Sequence, residues 1–282
     1  MERSIERIQA PSREEFNRRF VDTNTPVVLT GIADDWRARK VWTPQYFKDV
    51  AGDSTITVHY NEQANFHTWY TNPRLRVDRR ISFGEFVDHL VSDPEGDRYY
   101  MTEHELSKVS PKLVADVDFG RYVDRGSVYE PLLFLGRDTC MPLHYHGTTE
   151  ALLCQITGSK DVILYGPDQF ARLYARPWYA PSPLFSEVDG RNPDLSRFPK
   201  YGAAIPMRFR LEPGDTLFIP VHWWHFTRVQ GYQVSVTHFW KAKLRNWSFP
   251  TPGIQVCARE VLFKTKKAWR RARARVGKRQ SA

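Results

Sequence analysis

From Arg98 onward the chain is a succession of short apolar runs separated by Gly, Pro and Asp. RYYMTE, VYEPLLFLG, ALLCQITG, KDVILYG, RFRLEPGDTLFIP and YQVSVTHFW have the β-branched and aromatic texture of strands. Short strands at this spacing predict a sandwich or barrel, so the fold class is mainly β. Upstream the texture is mixed. TPVVLTGI (25–32) reads as a buried strand ended by Gly, and Ser82-Phe83-Gly84-Glu85 is a capping box that predicts a helix over EFVDHLV. DQFARLY (168–174) reads as a short helical interruption, and residues 189–194 as a surface loop. No internal repeat is present.

Charge separates the end of the chain from the rest. The formal net charge is +9, and residues 255–282 carry ten Lys or Arg against one acid, Glu260, so residues 1–254 are close to neutral. The basic balance therefore says little about any site in the β region. No apolar run is long enough to span a bilayer, and MERSIERIQAPSREEF reads without the apolar core of a secretory signal. Cys140, Cys154 and Cys257 are too few and too scattered for a disulfide framework or a cysteine zinc site. A reducing cytoplasm is the expected compartment, with Cys140 and Cys154 as small buried hydrophobes.

The histidines carry the chemistry. His144 and His146 sit two apart in MPLHYHGTTE, so on a strand both rings leave one face. His225 follows far downstream in FIPVHWWHF, after the tight turn Glu212-Pro213-Gly214-Asp215, and a β sandwich can bring it opposite the pair. Glu150 comes four residues after His146 across a Gly147 turn. Imidazoles with a carboxylate suit Fe(II) and related divalent ions. His222 reads as a strand-end or surface histidine, with a supporting place beside the site as the alternative, and His59, His67, His89 and His104 as structural. Trp223 and Trp224 read as core packing that shields the site.

MPLHYH, LLCQITGSK, YGPDQFARLY, NPDLSRFP, LEPGDTLFIPVHWWH and VSVTHFW together resemble the JmjC-type, cupin-like 2-oxoglutarate oxygenases, most closely asparaginyl hydroxylases of the factor-inhibiting-HIF type. The resemblance covers most of residues 5–245. It implies a double-stranded β-helix, or jelly-roll cupin; with the mixed texture upstream and the basic end of the chain, the expected organisation is an N-terminal α+β extension (1–95), a cupin core (96–245) and a basic helical tail (246–282). It further implies that His144 and His225 are iron ligands and that Lys160 pairs with the distal carboxylate of 2-oxoglutarate. Tyr100 corresponds to a tyrosine on that carboxylate, although Tyr99 could hold the register instead. Departures fall at the site itself. The family's metal-binding Asp is replaced by His146, a cofactor-contacting Thr by Met141, and an Asn of the last strand by His238.

The expected protein is thus a metal-dependent oxygenase, in first place an Fe(II)- and 2-oxoglutarate-dependent hydroxylase. His144, His146 and His225 hold the metal; Lys160 and Tyr100 hold the cosubstrate, with His238 beside it; Glu150 is a further ligand or a nearby base, and His146 and Glu150 are the catalytic candidates. The alternatives are a cupin that works without 2-oxoglutarate on a metal held by three histidines, with or without the glutamate, and a non-catalytic metal- or ligand-binding cupin. Loop 176–200, with Trp178, Tyr179 and Phe185, is expected at the mouth, where a peptide, a lipid-linked sugar or an aromatic metabolite would enter. The tail is a candidate contact for an anionic membrane surface or a nucleic acid, which would make the protein peripheral at a membrane. Relatives imply homodimerisation through C-terminal helices, for which Ile254, Val261, Leu262 and Phe263 offer apolar contact.

Overall fold

The structure is a computed structural model and describes residues 3–124, 129–262 and 265. The tail beyond these, including Phe263, lies outside the described residues. Among the described residues, thirteen strands are arranged in two sheets. In chain order they are β1 (Glu6–Gln9), β2 (Val27–Thr30), β3 (Thr55–Tyr60), β4 (Val77–Ser82), β5 (Tyr99–Glu105), β6 (Leu132–Arg137) and β7 (Cys140–Tyr145). Then come β8 (Thr149–Thr157), β9 (Lys160–Tyr165), β10 (Met207–Leu211), β11 (Thr216–Ile219), β12 (Trp224–Val229) and β13 (Tyr232–Lys241). One sheet has nine strands in the order β1-β2-β11-β8-β13-β6-β5-β3-β4, and the other four, in the order β10-β9-β12-β7. This is the mainly-β, jelly-roll cupin architecture expected, in its sandwich form.

Local chemistry sets the elements. β8, β9 and β13 are rich in Val, Ile, Leu and Thr, which fit a pleated, half-buried surface. The Ser82 hydroxyl accepts from the Glu85 amide at 3.1 Å, so the helix Phe83–Ser92 starts at its capping box. DQFARLY is helical in its 3-10 form, over Pro167–Arg172. The run RFRLEPGDTLFIP divides at its turn: β10 pairs with β9 in the small sheet, whereas β11 pairs with β8 and β2 in the large one. The N-terminal strands join the same large sheet as the core, with β1 parallel to β2 and β3 antiparallel to β5.

Alternation then sorts the side chains. Ala151, Leu153, Val162, Leu164, Leu217 and Ile219 pack together between the sheets. Leu152, Cys154, Phe218, Val234 and Val236 leave the opposite face of the large sheet and pack against Phe16, Phe47, Phe83 and Phe86 of the N-terminal helices. Successive residues of a strand thus belong to two different cores, and that parity decides which polar groups reach the site. Cys140 and Cys154 are buried free thiols, while Cys257 is exposed.

Candidate metal centre

His144 lies on β7 and His225 on β12, directly opposite each other in the antiparallel pairing. Opposed residues share a face, so the two rings meet with centroids 4.0 Å apart. His146, two residues on, returns to that face with its ring 4.6 Å from that of His225. One ligand atom from each of the three rings lies within 4.8 Å of the others. Among the described residues this is the group of His, Cys, Asp or Glu side chains close enough to hold a metal, and it contains no carboxylate.

The rings are prepared as ligands. His144 Nδ1 lies 2.8 Å from the Pro142 carbonyl and His225 Nδ1 3.2 Å from the Trp223 carbonyl. Each carbonyl accepts from its ring, which leaves Nε2 as the lone-pair nitrogen. Burial lowers His144 to about 4 and His146 to about 3, and holds His225 well below the ordinary value. All three are therefore neutral at pH 7, the form that binds a metal. Among the described residues the buried Nδ1 of His146 finds no hydrogen-bond partner. A buried polar atom left alone is costly, and a bound cation would satisfy such a cluster.

The rings open into a small cavity of about 40 Å³ between the sheets. Lys160 lines it from the first position of β9. Its ammonium crosses to the other sheet and donates to Ser235 Oγ at 2.6 Å; among the described residues no carboxylate pairs with it, although Glu103 lines the same cavity. The residue is 2% exposed, and desolvation lowers its pKa from 10.5 to about 7. Gly158, at φ +70° with Tyr232 O 2.5 Å from where a Cβ would stand, makes the tight turn that starts β9 at this register. Tyr100 also lines the cavity. Its neighbour Tyr99 turns away, takes a hydrogen bond from Arg79 at 2.6 Å and stacks on His89, so of the two it is Tyr100 that faces the cavity. Trp224 is fully buried, and Trp223 anchors its indole N–H on Asn24 O at 2.9 Å. Phe185 of the 176–200 loop stacks on His144 at 5.0 Å, whereas Tyr179 is exposed.

Two expected site residues are elsewhere. Glu150 pairs with Trp240 across β13 and therefore leaves the face opposite to Ala151 and Phe239. Its carboxylate is buried and accepts from Trp240 Nε1 at 2.8 Å and Asn246 Nδ2 at 2.9 Å. It lines a separate cavity with Arg13 and Lys243 and is neither a metal ligand nor a base at the histidines, so the set of three histidines plus glutamate is not assembled. Glu150→Gln is accordingly expected to leave metal affinity within about twofold of wild type, as for substitutions remote from a site; a tenfold loss in chelator competition would contradict this placement. His238 has the same parity problem. It faces Phe119 edge-on at 5.4 Å, behind the large sheet, and does not reach the cofactor side.

The cavity also contains residues that the histidine pattern does not announce: Glu103, Met141, Thr227, Thr237 and Phe239. Thr227 could have been counted two on from His225, and Thr237 and Phe239 alternate with Ser235 along β13. Glu103 stands at an irregularity of the β5–β6 pairing with φ +56°, a bulge that no spacing rule foretells. His222 is fully buried beside the site rather than on the surface.

A jelly roll that gathers three neutral imidazoles and one buried lysine in an intersheet cavity defines a cupin-type fold with a cluster that could hold a metal ion. The chain matches the model of the cupin-like domain family over residues 12–246 and belongs to that family, whose JmjC members are non-haem oxygenases using Fe(II) and 2-oxoglutarate. It is similar to lysine-specific demethylase 8 of Xenopus tropicalis, 29% identical over 85% of this chain and 53% of the relative. It is also similar to the human tRNA wybutosine-synthesizing protein 5, 26% identical over 84% of this chain and 78% of the relative. A third relative is lysine-specific demethylase JMJ30 of Arabidopsis thaliana, 28% identical over 84% of this chain and 54% of the relative. The chain spans about half the length of the two demethylases. Among the described residues no helix is long and apolar enough to cross a membrane.

Proposed function

We propose that this protein is an Fe(II)- and 2-oxoglutarate-dependent oxygenase that hydroxylates its substrate. The observation that carries the reading is Lys160. A buried ammonium whose hydrogen bond goes to a serine hydroxyl, and which is not paired with the Glu103 carboxyl of the same cavity, calls for an anion. A dicarboxylate whose far end meets Lys160 and whose near end meets a cation on the histidines supplies it.

The residues divide the work. His144, His146 and His225 fit iron(II), since they are neutral imidazoles gathered on one face, and they leave the remaining directions to exogenous ligands. Iron with 2-oxoglutarate and O2 supplies the oxidising power for attack on a C–H bond, with succinate and CO2 as coproducts. Lys160, set by Ser235, and Tyr100 orient the cosubstrate; Val162, Leu164, Leu153 and Ile219 keep water away from it. Phe185 over His144 forms part of the entrance, which a side chain or base of a larger substrate would pass. The names of the relatives give lysine side chains and tRNA as the substrate types to try first.

One observation favours a second reading, a metal-binding cupin without oxygenase activity. All three ligands are neutral, so the site lacks the negative charge that a carboxylate would give to iron. Calorimetric titration of the iron-loaded protein with 2-oxoglutarate under argon, followed by succinate measurement in air, separates the two. Binding in the micromolar to millimolar range with succinate release is expected; stoichiometric iron with neither would leave the second reading standing.

A further inference from the structure

His222 is the only fully buried histidine of the described chain that stands outside the metal group. Its backbone is in the left-handed region at φ +68°, a conformation that is costly for a residue with a bulky ring. Three hydrogen bonds hold it there. Its amide donates to the carbonyl of the ligand His146 at 3.2 Å. Its Nδ1 accepts from the Ser248 amide at 2.9 Å, which puts the ring proton on Nε2, and Nε2 donates to Gly147 O at 3.1 Å. One side chain thus ties the peptide after His146 to the segment that leaves the β core. That segment closes over the same turn: a methyl group on Gly147 would meet Val256 Cγ2 at 3.5 Å and Leu184 at 3.4 Å. Val256 is buried in the helix 253–262, whose Ile254 and Val261 are exposed.

We infer that His222 is a positioning residue that fixes the backbone of the metal ligand His146 through its bond to Gly147, and that a separate ring bond ties the C-terminal segment 246–262 to the same turn. The inference rests on the three-histidine metal site proposed above. Its physical content is simple. His146 is the ligand beyond the end of β7, so no strand pairing of its own holds it. The two bonds from His222 replace that missing ladder, and the strained backbone of His222 is what lets one residue reach both His146 O and Gly147 O. Loss of such outer support typically costs about 10–100-fold in metal affinity.

Two substitutions separate the two ring bonds. Glutamine can place its Nε2 where the imidazole Nε2 stands and keep the Gly147 bond while losing the Ser248 bond. Asparagine, which tolerates the left-handed backbone well, keeps an acceptor for Ser248 but loses the donor to Gly147. Metal dissociation constants by chelator competition and melting temperatures of the metal-free protein are measured for wild type, His222→Gln and His222→Asn, using Fe(II) and Co(II) as probes. The expected result is that His222→Asn weakens metal binding about tenfold or more while His222→Gln stays within about threefold, although both lower the melting temperature. If both variants bind metal as wild type does, or weaken it equally in step with their loss of stability, His222 is only structural and the inference is overturned. A wild type that binds no metal overturns the metal reading itself, and the inference with it. As a second check, His144→Ala removes metal without touching the Ser248 bond. Amide exchange at Ser248 should stay slow there and become fast in His222→Gln; slow exchange in His222→Gln would refute the link to the C-terminal segment.

Discussion

His144→Ala and His225→Ala are each expected to abolish stoichiometric divalent metal binding while leaving the sandwich folded. The effect is large because, among the described residues, the ligand group consists of three histidines and includes no carboxylate. Removing one imidazole leaves two neutral donors; Glu103 lines the same cavity but stands outside the ligand group, and Glu150 is held behind the sheet by Trp240 and Asn246. Affinity should fall by about two orders of magnitude or more, to the level of an ordinary histidine pair. The fold survives because these rings pack mainly on one another and on Phe185, not within the large cluster around Phe16 and Phe86. Elemental analysis of purified protein checks the metal, and circular dichroism checks the fold. A normal metal content in either variant would remove that histidine from the site; loss of the β signal would show that the ring is part of the core.

The pair His144 and His146 was legible from a local rule, His225 from the expected β architecture, and Lys160 from the family resemblance. Residues two apart share a strand face, and a Gly turn followed by a strand fixes the direction of the next side chains. Glu150 and His238 fail for one common reason. The turn at 146–148 carries the chain from the four-stranded sheet to the nine-stranded one, so spacing from His146 carries no information on which face β8 presents. Only the pairing of Glu150 with Trp240 and of His238 with Leu152 fixes it, and those partners are tens of residues away. His238 could have been placed by alternation from Ser235, since three residues along a strand means the other face. The N-terminal strands were readable as strands, but not as additions to the core sheet: β2 finds β11, nearly two hundred residues on. Glu103 and His222 depend on backbone conformations that favour glycine yet carry bulky residues, so the sequence holds no signal for them.

Lys160→Met should make the metal-free protein more stable and, at the same time, unable to bind 2-oxoglutarate. The lysine is 2% exposed, and burial lowers its pKa to about 7 from 10.5 in the unfolded chain. Between those values the unfolded state binds more protons than the folded one, so wild-type stability rises as the pH goes from about 7 towards 10.5 and is reduced in full below 7. The folded state thus carries a penalty of several kcal/mol at neutral pH for keeping an ammonium between Val162, Leu211 and Ser235. An apolar chain of similar length removes it. A net gain of about 2 kcal/mol, or a melting temperature roughly 4–8 °C higher, is expected for a chain of this size. The same substitution strips the cosubstrate of its counter-charge, a loss of roughly 3–5 kcal/mol, which is about two to three and a half orders of magnitude in Kd. The pH dependence follows with its sign. An anion is held by the charged lysine, so 2-oxoglutarate should bind best below pH 7, and its Kd should rise towards tenfold per unit above that, because the neutral amine must first take up a proton. Lys160→Met should lack this slope altogether. Calorimetry from about pH 6.5 to 8.5 on both proteins, a window that brackets the lysine's titration, with thermal melts alongside, tests every part. A Lys160→Met variant that melts lower than wild type would mean that the ammonium is already compensated in the folded state, and one that binds 2-oxoglutarate with wild-type affinity would take Lys160 out of the cosubstrate site.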